Sequence, residues 1–278
     1  MISLPSAKTA PSRALAAQKG VSMLKPGFTL PRGRTLNNAY LQRRVQELEE
    51  KARTALKEFG EHCRSPYFSF SGGKDSLVAT DIGLKILPHA RVLYRECGAS
   101  LPGTYELFAE IETRWGKEIE INVSDKTIFD VFGQYGLEHP RIERYTHRAL
   151  ITESMEKWLR QNPEVDGYIT GLRAEESRSR EILGKSRGQF YKKRDGMWTC
   201  NPLMWWKISE VWAYVDCHEL PYHPAYEVGH HHAREDLRLG VWAGESNIQW
   251  GRWMWLKYYY PDLFAEFAAR FPQVRQYV

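Results

Sequence analysis

No apolar run of roughly 18 residues occurs anywhere in this 278-residue chain, so no membrane-spanning helix is expected. The N-terminus has no compact apolar stretch followed by a small-residue cleavage site, so no secretion signal is expected. Cysteine is scarce. Cys63, Cys97, Cys200 and Cys217 are widely spaced and form no CxxC pair. That excludes a disulfide framework and a cysteine-rich metal site, and it points to a reducing cytoplasm. Acidic residues are missing from residues 1–35, which hold Lys8, Arg13, Lys19, Lys25, Arg32 and Arg34. The rest of the chain is near neutral, with 33 basic and 34 acidic residues. Such an arm either touches nucleic acid or another polyanion, or is a solvated tail or a segment packed on a sister subunit of a homodimer. Internal repeats and long low-complexity tracts are also absent.

What is present is an alternation of short strands and helices. Leu41, Val45, Leu48, Ala52 and Leu56 recur at intervals of three and four, which predicts an amphipathic helix ending near Gly60. Strands are expected at 67–70, 91–94, 117–123 and 166–170. Helices are expected after residue 76, stopping at Pro88, and over 104–115, 147–161 and 208–218. Residues 185–200 read as a basic loop or hairpin, and the chain from about Ser246 reads as aromatic-rich helix. The pattern implies an α/β fold with a parallel, five-stranded-type sheet, helices on both faces and a helical C-terminal region. Three parts are expected: a basic, irregular arm over 1–36, a nucleotide-binding domain over 37–245, and the aromatic region over 246–278.

The most informative stretch follows the first strand: Ser71-Gly72-Gly73-Lys74-Asp75-Ser76. Two glycines at a strand-to-helix turn let backbone approach a ligand with no Cβ in the way. The helix behind them offers free N–H groups and a positive dipole end, which together suit phosphate. Ser71 and Ser76 add hydroxyls and Lys74 a charge. Asp75 either holds a Mg²⁺ bridging phosphate oxygens or organises the loop. A second block, Gly171 to Arg180, follows another strand end. It brings Arg173, Arg178 and Arg180, whose guanidinium groups suit phosphate or sulfate, with Glu175 and Glu176 to pair with them. Arg187, Lys192, Lys193 and Arg194 either close over the same anion or form a solvated hairpin.

SGGKDS resembles the PP-loop of the adenine nucleotide alpha hydrolase superfamily. GLRAEESRSR at 171–180, NPL at 201–203 leading to Trp212, and His223-Pro224-Ala225-Tyr226 resemble blocks of its phosphoadenosine phosphosulfate (PAPS) reductase family. The resemblance covers roughly residues 60–245. It implies an adenine nucleotide, ATP or PAPS, as substrate. On it, Ser71, Gly72, Gly73, Lys74, Asp75 and Ser76 cradle phosphate. Gly171, Arg173, Arg178 and Arg180 grip the α-phosphate or a second substrate. Lys74, Asp75 and Arg173 carry the chemistry.

The chain departs from that family in its thiols. No cysteine follows Cys217, where the family's catalytic thiol is expected in an ECG-type tail. Cys97 lies in a Glu-Cys-Gly string after the second strand, and is either functional or a small apolar residue. Thr146, Val241 and Gly244 stand where the family's cluster-binding cysteines are expected, so no iron–sulfur cluster is expected. His230, His231 and His232 are a weak transition-metal pattern or a polar loop. The expectation is therefore an ATP-binding enzyme, with Mg²⁺, that forms AMP and pyrophosphate while activating an unidentified acceptor. The alternatives are a reductase-like protein binding PAPS or adenosine 5'-phosphosulfate, and a non-catalytic nucleotide-binding subunit of a nucleic-acid-modifying assembly.

Overall fold

The structure is a computed structural model, and it describes residues 29–34, 37–228, 237, 239 and 252–278. Most of the basic arm, the three consecutive histidines, Val241 and Gly244 lie outside the described residues. The first helix, α1 (Ala39–His62), starts where the Asn38 side chain accepts the Leu41 N–H, and it buries the predicted Val45, Leu48, Ala52 and Leu56. There follow β1 (Pro66–Phe70), α2 (Lys74–Leu84), β2 (Arg91–Glu96), α3 (Thr104–Trp115) and β3 (Ile119–Val123). Next come α4 (Ile128–Tyr135), α5 (Ile142–Thr146), a π-helical turn at His147–Thr152, and α6 (Glu153–Gln161). The remainder is β4 (Gly167–Ile169), α7 (Arg178–Arg187), β5 (Phe190–Lys192), β6 (Trp198–Cys200), α8 (Ile208–Cys217), α9 (Arg252–Tyr259) and α10 (Pro261–Arg270).

The six strands form one sheet in the order β3-β2-β1-β4-β6-β5. Five are parallel, as expected, and β5 is an antiparallel edge paired with β6. The expected basic loop or hairpin is thus a hairpin preceded by the helix α7. That helix has no apolar stripe to announce it: Gly184 is its one buried residue among the described ones. What starts it is Ser177, whose hydroxyl accepts the Arg180 N–H.

Strand alternation gives the sheet two unlike faces. On one, Phe68, Phe70, Val92, Tyr94, Ile119 and Ile121 join the main core. Trp115 of α3 packs edgewise and Phe108 at a tilt on Phe70, and the backbone of Gly83 in α2 lies so close to Phe68 that a Cβ there would overlap the ring. On the other face stand Tyr67, Ser69, Arg95 and Tyr168. Among the described helices α6 covers one end of it, through a small cluster of Met155, Trp158 and Leu159 with Tyr67 and Leu93. The strand order reverses at β1, which pairs with β2 on one side and β4 on the other. In open α/β sheets this switch point, beyond the carboxyl ends of the strands, is where ligands bind.

Candidate functional site

The SGGKDS segment sits at that switch point. Gly72 adopts a left-handed conformation at φ 74°, which a side chain would strain. Gly73 stands at the N-cap of α2 and has no side chain with which to cap it. The N–H groups of Gly72, Asp75 and Ser76 find no acceptor among the described residues, and they belong to the turn that carries the helix's positive end. The loop is braced from inside. Ser76 Oγ accepts the Ser71 N–H at 3.1 Å, lies 3.0 Å from Ser71 Oγ, and donates to the Gly73 carbonyl at 2.9 Å. Tyr226 braces it from outside, accepting the Lys74 N–H on its hydroxyl at 3.1 Å.

Tyr226 is delivered by the turn Pro224–Glu227, and His223 builds that turn. His223 Nδ1 accepts the Ala225 N–H at 3.0 Å. Its Nε2–H faces Thr104 Oγ1 at 3.2 Å, and that hydroxyl donates to the Leu101 carbonyl. Burial lowers the His223 pKa to about 3, so the ring is neutral near pH 7.

The second block abuts the first. A Cβ on Gly171 would lie 2.5 Å from the Asp75 carbonyl, so only glycine allows this approach. Arg173 is 4% exposed. Its Nε donates to Asp75 Oδ1 at 2.7 Å and a second nitrogen to Glu175 at 2.6 Å. Burial works against the Arg173 charge, but Asp75 and Glu175 outweigh it and hold its pKa above the ordinary value. Glu175 also accepts the Ile208 N–H at 2.7 Å, tying the block to α8. Lys74, equally buried, lies 3.2 Å from the other Asp75 oxygen.

These contacts bear on Mg²⁺. Both oxygens of Asp75 face cations, so a dication there would have to displace Lys74 and Arg173. The site as built does not fit a metal held by Asp75, and the loop-organising alternative suits the geometry. Among the described residues, no group of three or more His, Cys, Asp and Glu side chains could hold a metal ion.

In front of the loop, over the open sheet face, lies a cleft of about 750 Å³. Of the expected residues, Ser71, Gly73, Lys74, Asp75, Ser76, Gly171 and Arg180 line it. Gly72 is buried behind it, Arg173 is behind it and engaged by carboxylates, and Arg178 is exposed outside it. Arg180 pairs with Glu176. Sequence reasoning passed over Arg95, Tyr168, His147 and Thr152, which also line the cleft. Arg95 donates to Ser69 at 3.2 Å and has no carboxylate partner among the described residues. The period-2 pattern Arg91-Leu93-Arg95 could have signalled its face, given the register Ser69 opposite Leu93. His147 and Thr152 come from the π-helical turn, a local widening often found at functional sites.

All four cysteines are described, and none lines the cleft. Cys97 is half-buried, and burial together with the Glu96 charge pushes its thiol up to about 12. Burial also raises the thiols of Cys63, Cys200 and Cys217. Glu96 itself is buried and accepts from the Gly98 N–H, Ser100 and Tyr105, which shapes the loop around Cys97. Thr146, expected at a cluster position, is buried at the end of α5.

A family model described as phosphoadenosine phosphosulfate reductase domain matches residues 65–260. An adenosine 5'-phosphosulfate reductase of Allochromatium vinosum is 27% identical over 214 residues, covering 75% of this chain and 82% of that protein. An uncharacterized protein of Methanocaldococcus jannaschii is 23% identical over 226 residues. That match covers 80% of this chain but only 52% of the relative, so the chain spans about half its length. Two solved structures share the fold. A PAPS reductase from Candida auris, in a phosphate complex, has a TM-score of 0.54 at 17% identity, covering 76% of this chain and 98% of its own. An FMN adenylyltransferase from Candida glabrata has a TM-score of 0.52 at 14% identity, covering 80% of this chain and 68% of its own.

Proposed function

The chain belongs to the phosphoadenosine phosphosulfate reductase domain family, and from that premise we propose that it is an adenine-nucleotide-binding PP-loop enzyme that splits ATP between the α and β phosphates. One observation carries the reading: a helix start whose Gly72, Asp75 and Ser76 N–H groups have no acceptor among the described residues, together with the buried Lys74, opens into the cleft at the sheet's switch point. In this reading the N–H groups of Gly72, Asp75 and Ser76 hold the departing pyrophosphate, and Lys74 offsets its charge. An acceptor oxygen forms a bond to the α-phosphorus, the bond to the bridging oxygen of the β-phosphate breaks, and AMP passes to the acceptor. Asp75 and Arg173 act as positioning residues, because each is engaged by the other. Arg95 adds positive charge with no carboxylate partner among the described residues, while Arg180 and Lys193 line the cleft paired with Glu176 and Asp195. Mg²⁺ plays no part in the assignment of Asp75.

The family and the named relative favour a second reading, reduction of a sulfonucleotide. That chemistry needs a thiolate at the sulfonucleotide. Cys63, Cys97, Cys200 and Cys217 lie off the cleft with raised pKa values, so none of them is placed to supply it. Incubation with α-labelled ATP, and separately with PAPS or adenosine 5'-phosphosulfate plus thioredoxin, distinguishes the two. AMP and pyrophosphate lost on Lys74→Met support the first reading. Sulfite release overturns it in favour of the second. Absence of any adenine nucleotide binding overturns both.

A further inference from the structure

The segment Arg178 to Arg194 holds seven basic residues and one acidic residue, Glu181. Beyond residue 35, the rest of the chain holds 26 basic and 33 acidic residues, so a negative body carries one dense positive strip. Its placement is specific. Helix α7 stands proud of the body on Gly184, where a Cβ would collide with Met204 and Trp205. On the cleft side of the sheet, Arg187 lies over the Tyr191 ring at 5.2 Å and Lys193 over Tyr168 at 5.5 Å, whereas Lys192 lies over Trp198 at 5.8 Å on the opposite side of the edge strand. Rings hold Arg187 and Lys192 in place without neutralising them, while Lys193 also pairs with Asp195 at 2.8 Å. Arg178, Arg187, Lys192 and Arg194 have no carboxylate partner among the described residues and are exposed. Ile182 and Trp205 are 57% and 44% exposed on or against the same helix. The strip leads into the cleft, because Arg180 and Lys193 belong to both.

We propose that α7 and the β5–β6 hairpin dock a single-stranded nucleic acid, whose end enters the cleft as the second substrate. Unpaired strands are held by rows of cations interleaved with exposed apolar and aromatic surface, and this strip combines the two. A duplex hides its bases and gains nothing from Ile182 and Trp205. An acidic protein would gain from the charge alone. Entry of the strand end rests on the proposed nucleotide cleft, whereas docking on the strip does not.

The test is fluorescence-anisotropy titration of the full chain with an oligouridylate of about 15 nucleotides over a range of salt concentrations. Its matched duplex and a glutamate peptide of equal charge serve as parallel probes. R187Q/R194Q removes two contacts. It is expected to weaken oligouridylate binding about 10-fold near 0.1 M salt and to lower the salt slope by about 1.4. ATP binding by the same variant, measured calorimetrically, should match the parent and shows that the variant is folded. Unchanged oligouridylate affinity overturns the proposal. So does a loss seen only in a K8Q/R13Q/K19Q/K25Q variant, which assigns binding to the arm. Tighter binding of the duplex overturns single-strand docking, and equal binding of the peptide reassigns the strip to an acidic protein. If the oligouridylate binds but ATP does not, docking stands and the nucleotide reading of the cleft fails.

Discussion

The two faces of the one sheet have opposite chemistry. On the face carrying Phe68, Phe70, Val92 and Tyr94, ring edges, a helix backbone and aliphatic side chains fill the space, and the central strand residues Phe68, Phe70, Val92, Tyr94, Ile119 and Ile121 are buried there. On the face carrying Tyr67, Ser69, Arg95 and Tyr168, one helix covers one end and the rest is cleft. The same five-residue strand β1 serves both, since alternate side chains point opposite ways. The lesson is a division of labour. The dry face supplies stability through burial, so the open face can keep unneutralised cations and uncapped N–H groups that stability alone would not retain.

This contrast can be broken most forcefully at Phe68. Phe68→Ala should cost about 3–5 kcal/mol in urea unfolding, because the ring is buried against α2 and its loss leaves a cavity. ATP affinity of the remaining folded protein should hold. A stability loss below about 1 kcal/mol would mean that the dry face is not the main support.

Next comes Arg173, which lies where the faces meet. Arg173→Met leaves Asp75 and Glu175 without their shared partner and should cost about 3 kcal/mol by the same assay. A neutral result would argue that the residue is a free substrate grip rather than a brace.

Lys74→Met sharpens the contrast by reversing it. Stability should stay within about 1 kcal/mol, since a buried charge leaves and Asp75 keeps Arg173. ATP affinity measured by calorimetry should fall about 10- to 100-fold, the worth of one hydrogen bond to a charged group. Unchanged affinity would remove Lys74 from the phosphate site.

The smallest effect is a pH dependence. His223 must be neutral in the fold, with a pKa of about 3 against an ordinary 6.5. A base whose folded pKa is lowered contributes stability above 6.5 and loses it as the pH falls from 6.5 toward 3, by about 1.4 kcal/mol per unit. Thermal unfolding from pH 7.5 to 5 should show that slope in the parent and a flatter one in His223→Gln. Equal slopes would clear His223 of any part in holding the Tyr226 turn.

Much of the fold was legible beforehand because the signals are local. The α1 stripe, the strand at 67–70 and the glycine pair each depend on near neighbours in sequence. Helix α7 was not legible, since its 10 residues bury almost nothing and carry no stripe. The pairing of Arg173 with Asp75 was not legible either, because 98 residues separate them.

The sequence by itself determined the alternation of strands and helices, the glycine-rich turn at 71–76, the arginine block at 171–180 and the scarcity of thiols. Each is a property of residue type and spacing. Only the tertiary structure decided which arginines face the cleft. Burial and ion pairing depend on register and on contacts between distant segments. That is why Arg173 became a brace while Arg95, which no motif marked, came to face the cleft without a carboxylate partner among the described residues.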